Sequence, residues 1–199
     1  MKKLPTYEEL LEYNTWVKQN SLQSDKPILT DEIKEWESVK ELLDNITEIK
    51  KEVLLASNYL SDIGDTPYFY DFANINWDKF IIRWFDKPSE QAKKLFPLTL
   101  SIFDKHKDIL NMLVSVLQPH SRIQPHRGAS ALNIRLLIPI DVPQSEKCFL
   151  NVNGTKLFYH KEKLIAFDDT YMHEVQNNTD KPRIVLHCDL KRKLKDVLD

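Results

Sequence analysis

The sequence predicts a mainly β sandwich or jelly roll preceded by a helical segment. Three observations carry that prediction. Short apolar segments recur at close spacing after residue 77, an Asn153-Gly154 pair separates two of them, and apolar residues in the first half recur at steps of three and four. The chain has 199 residues, 42% of them hydrophobic, enough for one compact core.

The first element is a short helix over Tyr7–Gln19. A long amphipathic helix over 30–58 follows: Ile33, Trp36, Val39, Leu42, Leu43, Ile46, Ile49, Val53 and Leu54 share a face, with Thr30 as N-cap before Asp31 and Glu32. Its opposite face carries Lys34, Glu35, Lys40, Glu41, Glu48 and Lys51. Gly64, Pro67 and the aromatic stretch Tyr68, Phe69, Tyr70 and Phe72 mark a change of texture, and an aromatic loop there lines the mouth of a β fold. We divide the chain into a helical segment, 1–76, packing on a β core, 77–199.

Within the core, 77–84 has strand composition, and Ser89–Leu95 reads as a short helix terminated by Pro97. Strands are predicted over 113–118, 132–140, 148–152, 156–159, 163–167 and 183–190. Asn153-Gly154 predicts a type I′ hairpin, which needs positive φ at both central residues. Trp77, Trp84 and Phe85 are assigned to the core, as large aromatics dominate burial.

Composition narrows the function. Lys and Arg total 28 against 30 Asp and Glu, a net charge of −2 that predicts no nucleic acid or anionic membrane as partner. The basic run Lys191-Arg192-Lys193 reads as solvated. There is no apolar run of membrane-spanning length, and Met1-Lys2-Lys3 leads into Pro5 and acidic residues, so a soluble cytoplasmic protein is expected. Cys148 and Cys188 have neither CxxC spacing nor a disulfide framework and read as small apolar core residues.

The chemistry concentrates in two framed histidines, Gln124-Pro125-His126-Arg127-Gly128 and Phe167-Asp168-Asp169-Thr170-Tyr171-Met172-His173-Glu174-Val175. Two imidazoles suit a divalent transition metal. Arg183 opens the apolar run Ile184-Val185-Leu186, so it points inward, and a buried guanidinium needs an anion. Its planar fork fits a carboxylate bidentately. Asn133, Arg135 and Leu137 share one strand face by the period of two, as do Arg183, Val185 and His187. His106 between two lysines reads as solvated, and His120 and His160 carry no assigned chemistry.

These strings, with Trp77-Asp78-Lys79-Phe80, Leu95-Phe96-Pro97-Leu98-Thr99 and Arg183, resemble the aspartyl/asparaginyl β-hydroxylase family of Fe(II)- and 2-oxoglutarate-dependent dioxygenases, which includes bacterial lipid A 2-hydroxylase-type members. The resemblance covers a little over half the chain and none of residues 1–76. It implies a cupin-like double-stranded β-helix with His126 and His173 as catalytic iron ligands. It further implies that Arg183 and Ser115 bind the distal carboxylate of 2-oxoglutarate, and that Arg135 lies near its other end. The implied reaction consumes oxygen and 2-oxoglutarate, hydroxylates an unactivated C–H bond of an unidentified amino-acid, peptide or acyl substrate, and yields succinate and carbon dioxide.

The chain departs from the family pattern twice. Gly128 stands where an HxD motif supplies a carboxylate, although a His-x-Gly form also occurs in the family, with water in that position. Leu137 stands where many members place a histidine against the cosubstrate. These departures keep open a non-catalytic jelly-roll protein that retains the metal and dicarboxylate pocket. An interaction protein working through its helical half is the other alternative.

Overall fold

The computed structural model describes residues 6–65, 75–85 and 87–195. Helix α1 (Tyr7–Gln19) opens on a reciprocal cap: the Thr6 hydroxyl accepts the Glu9 N–H at 3.2 Å, and the Glu9 carboxylate accepts the Thr6 N–H at 2.6 Å. The helix expected over 30–58 is three helices, α2 (Thr30–Ile33), α3 (Glu37–Asp44) and α4 (Ile46–Ala56). Trp36 is extended at φ −68°, ψ 140°, and Asn45 sits at φ −99°, ψ 11°, so the chain turns twice. Ile33, Val39, Leu42, Ile49 and Val53 are nonetheless all buried. The apolar period reports the buried face; it does not report backbone continuity. Thr30 begins α2 instead of capping it, and its hydroxyl accepts the Ala166 N–H at 3.0 Å.

Helix α5 (Glu90–Leu95) is capped by Ser89, and Pro97 is not a terminator: it is the first residue of α6 (Pro97–Lys105), where its fixed φ and missing N–H are harmless. Buried Glu52 of α4 accepts the Leu98 and Thr99 N–H groups at 2.8 and 3.1 Å, capping α6 across the fold. His106 is not solvated, because its Nε2 lies 2.6 Å from Glu41 Oε2.

Among the described residues, two antiparallel sheets face each other. The larger runs β1 (Ser61–Asp62), β2 (Trp77–Trp84), β3 (Ile109–Leu117), β10 (Arg183–Lys191), β5 (Asn133–Asp141) and β8 (Ile165–Asp168) in spatial order. The smaller runs β4 (Ser121–His126), β9 (His173–Asn177), β6 (Cys148–Val152) and β7 (Thr155–Phe158). The predicted hairpin joins β6 to β7, with Asn153 at φ 49° and Gly154 at φ 88°. Strands β4 and β9, which carry both histidines, are absent from the strands expected from sequence.

Alternation sorts the large sheet into two faces. Ile134, Leu136, Val114, Leu186 and Ile184 meet Ile33, Val39, Leu42 and Ile49 of the helices in one core. On the other face Trp77, Leu117, Leu137, Ile165 and Val185 meet Ile123, Cys148, Leu150 and Val175 of the small sheet. The result is the expected double-stranded β-helix, with helices covering the outer face of the large sheet.

Arg192 is buried, not solvated: it donates to Ala131 O at 2.7 Å and to Asp168 Oδ2 at 2.8 Å. The aromatic stretch Tyr68–Phe72 lies outside the described residues. No helix among the described residues is long and apolar enough to cross a membrane.

Candidate active site

The site lies between the sheets. His126 ends β4 and His173 opens β9, and the ladder pairs them directly, with ring centroids 4.1 Å apart. Each ring is held by its own backbone. His126 Nδ1 lies 2.7 Å from Gln124 O, and His173 Nδ1 lies 2.9 Å from Tyr171 O. A carbonyl only accepts, so each Nδ1 donates and each neutral ring carries its lone pair on Nε2. Burial lowers the His126 pKa, and burial with the neighbouring His126 lowers that of His173 to about 3. Two neutral, fixed imidazoles fit a metal ion of the Fe(II) class.

Gly128 has a structural cause. Its N–H donates to Asp169 O at 2.7 Å, and a Cβ built on it would lie under 3.0 Å from Asp169 Cγ and both carboxylate oxygens. The Asp169 carboxylate therefore fills the space that a side chain at 128 would need. Among the described residues, no three His, Cys, Asp or Glu side chains converge as a metal cage. Asp168 shapes the approach to β9: its Oδ1 accepts the Thr170 N–H at 3.0 Å and hydroxyl at 2.6 Å, and its Oδ2 pairs with Arg192.

Arg183, 2% exposed, opens β10 on its inner face. Its Nη2 donates to Ser115 Oγ at 3.3 Å, and the Trp77 indole donates to the same oxygen at 2.8 Å. Having accepted both, the Ser115 hydroxyl has its own proton left to donate. The Tyr159 ring centroid lies 5.4 Å from the guanidinium, and burial pushes the phenol up to about 12, keeping it neutral. Among the described residues, no carboxylate lies within 4.0 Å of Arg183, and its Nε has no partner. Trp77 is a core residue, as the sequence assigned it, and also lines the site, whereas Phe85, assigned to the core with it, is exposed.

Arg135 comes from β5 and is already engaged. Its Nη2 donates to Asp169 Oδ2 at 2.6 Å, its Nε lies 3.0 Å from Asp189 Oδ1 without hydrogen-bond alignment, and its Nη1 donates to His187 Nε2. Burial alone would raise the Asp189 carboxyl, but the Arg135 guanidinium holds it well below the usual range. Burial, then Arg135, pushes His187 down to about 4. Asn111 extends the cluster: its Nδ2 donates to Asp189 Oδ2 at 3.0 Å, and its Oδ1 accepts the Phe85 N–H at 2.9 Å. Phe85 sits at φ 52°, a conformation that a bulky residue adopts only when its surroundings enforce it.

A cavity of about 750 Å³ unites these groups, with His126, His173, Arg135, Arg183, Ser115 and His187 all on its walls. Every site residue predicted from sequence borders it. Sequence reasoning missed Asp169 as the partner of Arg135, together with Asp189 and Asn111. The available signal was the alternation of Arg183, Val185, His187 and Asp189 along β10, polar groups facing inward from an otherwise apolar strand.

The family model of aspartyl/asparaginyl β-hydroxylase matches residues 34–193. The chain belongs to this family. Ornithine lipid ester-linked acyl 2-hydroxylase of Rhizobium tropici is 32% identical over 141 residues, covering 66% of this chain and 50% of that protein. Aspartyl/asparaginyl β-hydroxylase of Mus musculus is 22% identical over 120 residues, covering 58% of this chain and 16% of that protein. The chain thus spans half the length of the first relative and less of the second. Among solved structures, a Pseudomonas putida prolyl-4-hydroxylase aligns with a TM-score of 0.46 at 12% identity, covering 76% of this chain and 88% of that one.

Proposed function

We propose that this family member is an Fe(II)- and 2-oxoglutarate-dependent hydroxylase acting on an unactivated C–H bond. The observation that carries the proposal is Arg183, a buried guanidinium with no carboxylate partner among the described residues, in the same cavity as two neutral imidazoles. A buried cation with no anion is costly, so the cavity calls for an anionic ligand. A dicarboxylate places one carboxylate on Arg183 and Ser115 and leaves the other end free to reach the metal side.

In this mechanism His126 and His173 hold the metal through Nε2, and the Gln124 and Tyr171 carbonyls keep both rings in the required tautomer. Bound Fe(II), with 2-oxoglutarate and oxygen, would supply the oxidising chemistry that inserts a hydroxyl group and releases succinate and carbon dioxide. Arg183 and Ser115 anchor the cosubstrate, Arg135 organises its near end, and Trp77 orients the Ser115 hydroxyl. Ile123, Leu150, Phe167 and Val175 keep the walls apolar and limit water. That apolar lining, with the higher identity to an acyl hydroxylase, favours an acyl group over a free amino acid as substrate.

The test is quantitation of succinate formed from 2-oxoglutarate with Fe(II) and oxygen across acyl, amino-acid and peptide substrates. His126→Ala and His173→Ala controls should abolish it. Tight 2-oxoglutarate binding without turnover, coupled or uncoupled, would instead favour the non-catalytic pocket protein. The two-imidazole set without a third side-chain ligand is the observation behind that second reading.

A further inference from the structure

We propose that His187 is a cosubstrate-binding residue of this site, a fixed N–H donor to the end of the ligand opposite Arg183. This inference rests on the reading that the cavity takes 2-oxoglutarate. β10 presents Arg183, Val185, His187 and Asp189 to the cavity side, so Arg183 and His187 are four residues apart on one face. At about 3.4 Å per residue their Cα atoms are roughly 14 Å apart. Side chains reaching inward from both positions leave room between them for a five-carbon dicarboxylate.

The hydrogen bonding settles which nitrogen of His187 is available. Arg135 Nη1 faces His187 Nε2 within hydrogen-bond reach, whereas Asp189 Oδ1 lies 3.6 Å from the same nitrogen, and a guanidinium only donates, so Nε2 carries the lone pair. The neutral ring then holds its proton on Nδ1. That N–H has no acceptor among the described residues, although the side chain is 4% exposed and lines the cavity. On a cavity-lining ring, a donor without a protein acceptor is open to a ligand oxygen.

Arg135 is already held by two carboxylates and by His187, which fixes where its guanidinium lies. Asp169 and Asp189 already neutralise it, and one Nη1 hydrogen points at His187. It acts as a positioning residue, setting the His187 tautomer. Leu137, the cross-strand partner of His187, offers only methyl groups at the same level of the sheet. The polar contact is therefore delivered from β10 where β5 has none.

Two measurements on Zn(II)-loaded protein test this. Long-range ¹H–¹⁵N spectra of histidine-labelled protein should show His187 protonated on Nδ1, with that proton moving downfield when 2-oxoglutarate is added. Calorimetry should show 2-oxoglutarate binding weakened about tenfold or more in His187→Ala, the loss of one hydrogen bond to a charged acceptor. His187→Asn, whose amide N–H falls near the Nδ1 position, should recover most of it. An Nε2-protonated ring, a Nδ1 proton that ignores the ligand, or a His187→Ala affinity equal to the parent's would each overturn the inference. Should His187→Ala fail to fold, the spectra of the unsubstituted protein decide alone. A parent protein that does not bind 2-oxoglutarate at all would overturn the reading of the whole cavity; normal parent binding with no effect at His187 sinks only this assignment.

Discussion

Gly128→Ala offers the sharpest stability test, because a single methyl group meets a named obstacle. The added Cβ would lie under 3.0 Å from Asp169 Cγ, Oδ1 and Oδ2, a separation real Cβ atoms do not show. Asp169 is buried and its Oδ2 is 2.6 Å from Arg135 Nη2, so the carboxylate must turn away and abandon that pair. Breaking a buried ion pair costs about 3–5 kcal/mol. Arg135 keeps Asp189, which places the expected loss near the lower end, about 3 kcal/mol. For a chain of this size each kcal/mol moves Tm by roughly 2–4 °C, so thermal denaturation should show a drop of roughly 10 °C. In an Asp169→Ala background the same substitution meets no carboxylate, and its increment should fall below about 1 kcal/mol. A single variant melting within about 2 °C of the parent, or equal increments in the two backgrounds, would refute the packing argument.

Other substitutions separate binding from stability. Arg183→Met should abolish measurable 2-oxoglutarate binding by calorimetry while leaving Tm unchanged or raised, since it removes a buried charge with no anionic partner among the described residues. Trp77→Phe removes the indole donor to Ser115 and should weaken the same binding about five- to tenfold with the fold intact by circular dichroism. Asp168→Ala strands the buried Arg192 guanidinium and should lower stability by about 3–5 kcal/mol in urea unfolding. Acidification tests His187, whose pKa is about 4 in the fold against about 6.5 unfolded. The unfolded chain binds more protons between those values, so stability is fully present above about pH 6.5 and declines as pH falls toward 4. His187→Asn should flatten that slope in urea midpoints measured across the window; an unchanged slope would contradict the assignment.

The reach of the sequence differs from element to element. Alternation along β5 and β10 is visible because both strands are buried and their polar residues fall at every second position. The type I′ turn is visible because Asn-Gly tolerates positive φ at both places. The two histidine strands were illegible for a physical reason. β4 reads Ser-Arg-Ile-Gln-Pro-His, with a proline and a single aliphatic residue, and β9 is five residues of mostly polar side chains. At the cavity they are strands through pairing, not composition. The helix breaks at Trp36 and Asn45 are invisible to periodicity, because the packed face stays in phase across them.

By itself the sequence determined the residue types of the site, the faces they share on β5 and β10, and the resemblance that marks His126, His173 and Arg183. Those depend on local period and residue chemistry, which are written along the chain. Only the tertiary structure decided what each charge is paired with. Asp169 fills the space above Gly128 and takes Arg135, Arg135 fixes the His187 tautomer, and Arg183 is left without a carboxylate partner among the described residues. Electrostatic pairing is a matter of a few ångströms between residues from different strands, and no spacing along the chain encodes that distance.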